Sequence, residues 1–385
     1  MTNATSFSIL AVASAFALTG CTMGSPAEVE PTTTTVTEGS GLSVVVSTTM
    51  LGDVVRDIVR CETGDDSTVT TVMPVGADPH DFQPSSAQVG QMAAADLVVV
   101  NGLGLEEGLL PALQSIEADG AAVLRVAAQL DPISFGGGSA EGKEEHDDHD
   151  HDEDSSEDHS EEEAHDDDDH GHEEHAEEEA YDDDHAHEDD ESDEEHSEEE
   201  GHDHDHDHAG GLDPHFWLDM DRMADAAELI GEQLQTIAGG GFEVCGDQIA
   251  EKIESAERSV MDILESVPEG QRVLVTDHDA LEYFAQRYGY TVAGVVIPGG
   301  STLGEPNSQE LATLVGVIQD RNVPAIFGNT ALGQDVLDVV AEEVGRDVQV
   351  VSLFIGSLGG PDSEATTYVQ MMTTNATLIA QALTD

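Results

Sequence analysis

The middle of this chain cannot fold on its own account. Residues 141–208 hold 39 Asp/Glu and a single Lys, and 15 of the 18 His fall between His146 and His208. No apolar periodicity runs through this tract. It cannot bury enough surface to offset the entropy of ordering, so disorder is expected for an inserted loop spanning 136–210 in the absence of metal. Its last residues alternate, His202-Asp203-His204-Asp205-His206-Asp207-His208. Such an array chelates divalent ions in several exchangeable ways, which makes His202, His204, His206 and His208 an auxiliary metal-gathering set. A solvated, negatively charged spacer is the plainer alternative.

The acidic excess extends beyond the tract. The chain carries a net charge of -72, and the remainder still holds 44 acidic residues against 10 basic ones. A field of that sign repels DNA, RNA and anionic lipid, which excludes nucleic-acid binding, and it attracts cations.

Ile9 to Leu18 is an apolar run too short to span a bilayer. It leads into Leu18-Thr19-Gly20-Cys21, which resembles a bacterial lipobox. The expectation is a signal peptide over 1–20, a lipidated Cys21, and an extracytoplasmic protein held at the membrane by that lipid. The n-region, Met1 to Ser8, departs from the pattern in lacking Lys and Arg. A Gly-, Ser-, Pro- and Thr-rich stretch follows and reads as a flexible tether over 21–42. In an exported protein the two remaining cysteines, Cys61 and Cys245, suggest a disulfide. No CxxC pair supports a cysteine zinc site.

Beyond the tether, short β-branched runs alternate with helical spacing, the signature of a parallel-sheet α/β architecture. Strands are expected at 43–47, 68–73, 97–101 and 122–126, with helices at 51–60 and 86–95. After the tract, helical spacing covers 222–238 and 248–266. The second carries Ile249, Ile253, Ala256, Val260 and Leu264, and is long enough to link two lobes. A second α/β unit follows, with strands at 273–276, 291–297, 325–328 and 348–353 and a terminal helix at 363–383. The domains then read as an N-terminal lobe over 43–242, a linker helix over 243–268 and a C-terminal lobe over 269–385. Two such lobes joined by one helix make a cleft at the carboxyl ends of their strands.

Only three His lie outside the tract: His80, His215 and His278. Each falls at a strand end or in a loop of this map. His80 and His215 share the tripeptide Asp-Pro-His, and His278 stands in Asp277-His278-Asp279. The fixed φ of proline lowers the entropy of presenting the ring, and an adjacent carboxylate is suited to orienting an imidazole that binds metal. Singly, each His would be read as a capping or hydrogen-bonding group. Together they read as a metal-ligand set.

These motifs resemble the zinc/manganese-type substrate-binding lipoproteins of ABC importers, the ZnuA/TroA-like family. The likeness is carried by Leu51-Gly52-Asp53, both Asp-Pro-His motifs, Asn101-Gly102-Leu103-Gly104-Leu105-Glu106, Trp217-Leu218-Asp219, His278 through Phe284, Arg287-Tyr288-Gly289 and Ser357-Leu358-Gly359. It implies two lobes joined by a rigid helix, an ion held between them by His80, His215 and His278, and permease and ATPase subunits as partners of a monomeric receptor. Three imidazoles favour Zn²⁺ over Mn²⁺ as the transported ion. At the position where family members often carry a fourth ligand, an Asp, this chain has Gly356. Water, Asp362 or Glu305 are the candidates to complete the shell. A manganese-specific receptor, a zinc-dependent hydrolase using an open three-His site, and a surface adhesin or storage protein are the competing readings. No HExxH or nucleophile motif supports the enzyme.

Overall fold

The computed structural model describes residues 41–135 and 211–384. The signal segment, Cys21, the tether up to residue 40, and the tract 136–210 with His202, His204, His206 and His208 lie outside the described residues.

The first lobe is a four-stranded parallel sheet of β1 (Ser43–Val46), β2 (Thr68–Thr71), β3 (Leu97–Val100) and β4 (Val123–Arg125) in the order β2-β1-β3-β4. Its helices are α1 (Thr49–Thr63), α2 (Ser86–Ala93) and α3 (Leu110–Ala118). Val44–Val46 of β1 and all of β3 are unbroken valine/leucine runs because both of their faces are covered. Two long helices follow, α4 (Met220–Ala238) and α5 (Phe242–Glu265). The second lobe repeats the plan with β5 (Val273–His278), β6 (Thr291–Ile297), β7 (Ala325–Asn329) and β8 (Gln349–Leu353) in the order β6-β5-β7-β8, again parallel. α6 (Glu282–Tyr288), α7 (Ser308–Arg321), α8 (Asp335–Glu343) and α9 (Tyr368–Thr384) flank it. No described helix is long and apolar enough to cross a membrane.

In each sheet the chain leaves its first strand on one side and returns on the other. That reversal opens a crevice beyond the carboxyl ends of the two central strands. The lobes share one continuous core, running from Val44 and Trp217 through Ile249, Ile253 and Val260 of α5 to Phe327 and Leu383. α5 is pinned to both sides. Its Cys245 is bonded to Cys61 of α1, with Cα atoms 5.8 Å apart. Its buried Glu257 takes a two-pronged hydrogen bond from Arg287 of α6, at 2.7 and 2.8 Å.

Sequence and structure differ in several places, among them the terminal helix, which begins at Tyr368 rather than at 363. Helix α3 is not anticipated by the sequence, because it spans only nine residues, carries Pro111 in its first turn and buries only Leu113 and Ile116. Helix α5 begins at Phe242, six residues before the apolar spacing becomes regular. The early turns hold because α4 and α5 meet backbone to backbone at two glycines. A Cβ on Gly231 would lie 2.7 Å from the Phe242 carbonyl, and one on Gly246 2.8 Å from that of Ala227. Finally, β5 extends through Asp277 to His278, which pairs with Ile297, so this His ends the strand rather than following it.

Candidate metal centre

His278 is delivered by the last residue of β5, at the crevice of the second sheet. His80 comes from the loop beyond β2. His215 lies just past the insertion, in a segment tied down by the Ser134–Leu212 bridge and by hydrogen bonds from Phe135 N to Gly211 O and from Asp213 N to Ile133 O. The next residues form a short 3-10 turn, Phe216–Leu218, whose side chains are all buried. Trp217 Nε1 donates to Ile355 O of the second lobe at 2.9 Å, fixing the segment across the cleft.

The three rings converge. Their centroids are 5.5, 5.7 and 5.3 Å apart, and one nitrogen from each ring lies within 4.8 Å of the other two. All three residues are at most 3% exposed. His215 Nδ1 meets Asp213 Oδ1 at 2.8 Å and His278 Nδ1 meets Asp277 Oδ1 at 2.8 Å. A carboxylate accepts, so each Nδ1 carries the proton and each Nε2 keeps its lone pair. His215 Nε2 and both ring nitrogens of His80 are buried without a partner. Orphaned acceptors in an interior are costly unless something arrives to bind them. Neutral imidazoles aimed at one point are the donor set for a borderline-soft divalent ion.

The second Asp-Pro-His behaves as its sequence suggests, with Asp213 orienting the ring. The first does not. Asp78 accepts from the backbone N of His80 at 3.1 Å and from Thr302 of the other lobe, and it makes no bond to the imidazole. Asp277, the carboxylate partner of His278, carries no signal that separates it from Asp279 in the sequence. At Gly356 a Cβ would lie 2.9 Å from Pro79 Cδ and 3.0 Å from Asn329 Nδ2. The proline that presents His80 occupies the space a side chain there would need. Asp362 and Glu305 are exposed and stand outside the cluster.

Burial sets the charge states. His80 is pushed down to about 2 by burial and by the neighbouring His215 and His278 rings, and His215 falls well below its ordinary value through burial and the His278 ring. Burial pushes Asp213 up to about 7 against the hydrogen bond from the His215 backbone, and Glu282 up to about 7 with the charges of Asp279 and Asp213 adding to it. The signs oppose. Unfolding lets the two imidazoles take up protons below about 6.5, so their contribution to stability is present above that pH and fades as pH falls toward about 2. The raised carboxylates bind protons in the folded state first and act the other way between their ordinary range and about 7. The clean readout is therefore the rings. In the metal-free protein at pH 5, imidazole shifts in nuclear magnetic resonance should show His80 and His215 still neutral. A ring in water titrates near 6.5. Titration of His80 near that value would mean that water reaches the site.

The chain matches the family model ZnuA, "Zinc-uptake complex component A periplasmic", over residues 44–382. It belongs to that family. Its members are metal-binding substrate-binding proteins of ABC importers, not enzymes. The manganese-binding lipoprotein MntA of Halalkalibacterium halodurans is 23% identical over 357 residues, 92% of each chain. The zinc-binding protein TroA of Treponema pallidum is 30% identical over 178 residues, covering 44% of this chain and 57% of that one. In structure, the periplasmic zinc binding protein TroA from Treponema pallidum superposes with a TM-score of 0.64 at 22% identity, over 90% of this chain and 100% of that one. A Mn-bound periplasmic metal binding protein from Candidatus Liberibacter asiaticus gives 0.61 at 20% identity, over 89% and 99%. Both share the fold of two parallel-sheet lobes.

Proposed function

We propose that this chain is a zinc receptor held outside the cytoplasm by a lipid on Cys21. As a monomer it captures Zn²⁺ between its lobes on His80, His215 and His278 and passes it to the permease and ATPase of an ABC importer. Capture is assisted by the His202–His208 array. The observation that carries the choice of metal is the donor set: three buried imidazoles meet, and no carboxylate among the described residues joins them. Mn²⁺ prefers carboxylate oxygen, whereas Zn²⁺ takes imidazole nitrogen in a tetrahedral shell. Glycine at 356, packed under Pro79, leaves the fourth position to a small ligand such as water.

Manganese is the second reading, because MntA is named for that metal. The two separate in one experiment. Full-length protein is equilibrated with equimolar Zn²⁺ and Mn²⁺ against a chelator strong enough to strip weak sites, and the retained metal is counted. One tightly held Zn²⁺ per chain is expected, with Mn²⁺ below a tenth of that. Retention of Mn²⁺ over Zn²⁺ would overturn the assignment of the metal while leaving the transport family untouched.

A further inference from the structure

The lobes are joined at the base of the cleft by buried bonds. Leu358 N donates to Thr49 Oγ1 at 2.8 Å, Trp217 Nε1 to Ile355 O at 2.9 Å and Tyr368 OH to Trp217 O at 2.6 Å. At the mouth the contacts have a different character. Three consecutive residues of the loop after β6 each touch the first lobe. Gly300 lies under the Phe135 ring so closely that a Cβ there would sit 1.9 Å from Cζ. Ser301 Oγ donates to Glu107 Oε1 at 3.0 Å. Thr302 Oγ1 donates to Asp78 Oδ2 at 2.5 Å. Both bonds are only partly buried, and the Ser301–Glu107 bond borders two cavities of about 350 and 320 Å³. The cavities share Glu107, Gly300 and Ser301, and His80 lines the larger.

We infer that Ser301 and Thr302 are positioning residues that set how long the bound ion is retained. The inference rests on the reading of His80, His215 and His278 as the ion's ligands. Its physical basis is the Asp78 carboxylate. One oxygen takes the Thr302 hydroxyl from the far lobe, and the other takes the backbone N–H of His80. His80 is the one ring of the three without a carboxylate on its own nitrogens, so nothing but its backbone and packing holds it on the ion. The bond from Thr302 therefore stands in for the missing ring anchor. It is a hydroxyl-to-carboxylate bond, which is stronger than a neutral one. The Ser301–Glu107 bond beside it holds the same loop against the cavity that His80 floors. Solvent reaches these two bonds before it reaches the base of the cleft, so separation of the lobes starts here. Ion release follows once Asp78 is freed and the His80 backbone with it.

The test uses the full-length chain loaded with Zn²⁺ and mixed rapidly with a chromophoric chelator. Release is expected in fast phases from weak sites and one slow phase of one ion per chain, which His215→Ala removes. Ser301→Ala with Thr302→Val should speed the slow phase about tenfold or more, as expected for losing bonds to charged acceptors. Its amplitude, and the secondary structure of the metal-free protein, should stay unchanged. Thr302→Ser, which keeps the hydroxyl, should stay near the parent rate. A slow phase of unchanged rate in the double variant overturns the retention role and leaves the three-His site standing. A slow phase that survives His215→Ala, or that is missing from the parent, overturns the ligand reading and the retention role with it.

Discussion

Replacing His215 with alanine is expected to abolish the tightest class of zinc binding while lowering the stability of the metal-free fold only modestly. The ring is held by two bonds to Asp213, 2.9 Å from the backbone N and 2.8 Å from Nδ1, so its free Nε2 is fixed in place before any ion arrives. Structural zinc sites bind with roughly 10–16 kcal/mol shared among four ligands, so one lost ligand costs about 2.5–4 kcal/mol, or roughly 60- to 900-fold in affinity. The metal-free fold is relieved of the unpartnered Nε2 but loses the bond from Nδ1 to the buried Asp213 and the packing of the ring, so a modest fall in melting temperature is expected. Asp213→Asn should be milder, at roughly 10–100-fold, the usual cost of losing an orienting carboxylate. Competition against a graded series of chelators reads both values. If the alanine variant holds Zn²⁺ as tightly as the parent, the ion sits elsewhere, and the convergence of the three rings has another cause.

How much of this was legible beforehand depends on what kind of information each feature needs. Val44–Val46 and Leu97–Val100 are plain in the sequence, because burial of both faces writes a continuous apolar run. The first turns of α5 are not, because Cys245 and Gly246 are weak helix formers held by contact with α4 rather than by propensity. Strand β5 reads as ending early in the sequence, since Asp277 and His278 break the apolar pattern while the backbone continues its ladder to Ile297. The three His of the cleft stand out by isolation from the other 15 and by their Asp-Pro and Asp neighbours. What those neighbours do is a matter of three dimensions. Asp213 and Asp277 turn toward their rings, whereas Asp78 turns toward Thr302, 224 positions away. The bond from Ser301 to Glu107 spans 194 positions and carries no local signature. Gly356 shows the same limit. Sequence registers a missing carboxylate, and only the fold shows Pro79 filling its place.

Removing the bond between Cys61 and Cys245 should give the opposite pattern, with stability lost and metal affinity kept. The bond closes a loop of sequence separation 184. Chain entropy assigns a closure of that length about 5 kcal/mol, and removal of native disulfides typically costs about 2–5 kcal/mol. Spread over a chain of this size, that is a fall in melting temperature of roughly 10 °C. Affinity should hold because the bond sits far from the ion. Thr49 at the start of α1 touches Leu358 beside the cleft, and Cys61 lies twelve residues further along the same helix. At 1.5 Å per residue this is a distance of about 18 Å. The register of α4 on α5 is set independently by the contact between Gly231 and Gly246, and that of α5 on α6 by Arg287 and Glu257. The Cys61→Ser, Cys245→Ser variant should therefore melt early when metal-free. It should regain much of the loss with excess Zn²⁺, since a ligand that binds only the folded state stabilises it by mass action. Its zinc affinity should stay within about twofold of the parent. A tenfold loss of affinity without loss of secondary structure would mean that α5 transmits strain from the disulfide to the cleft, and that the glycine contact and the Arg287 pair do not isolate the site.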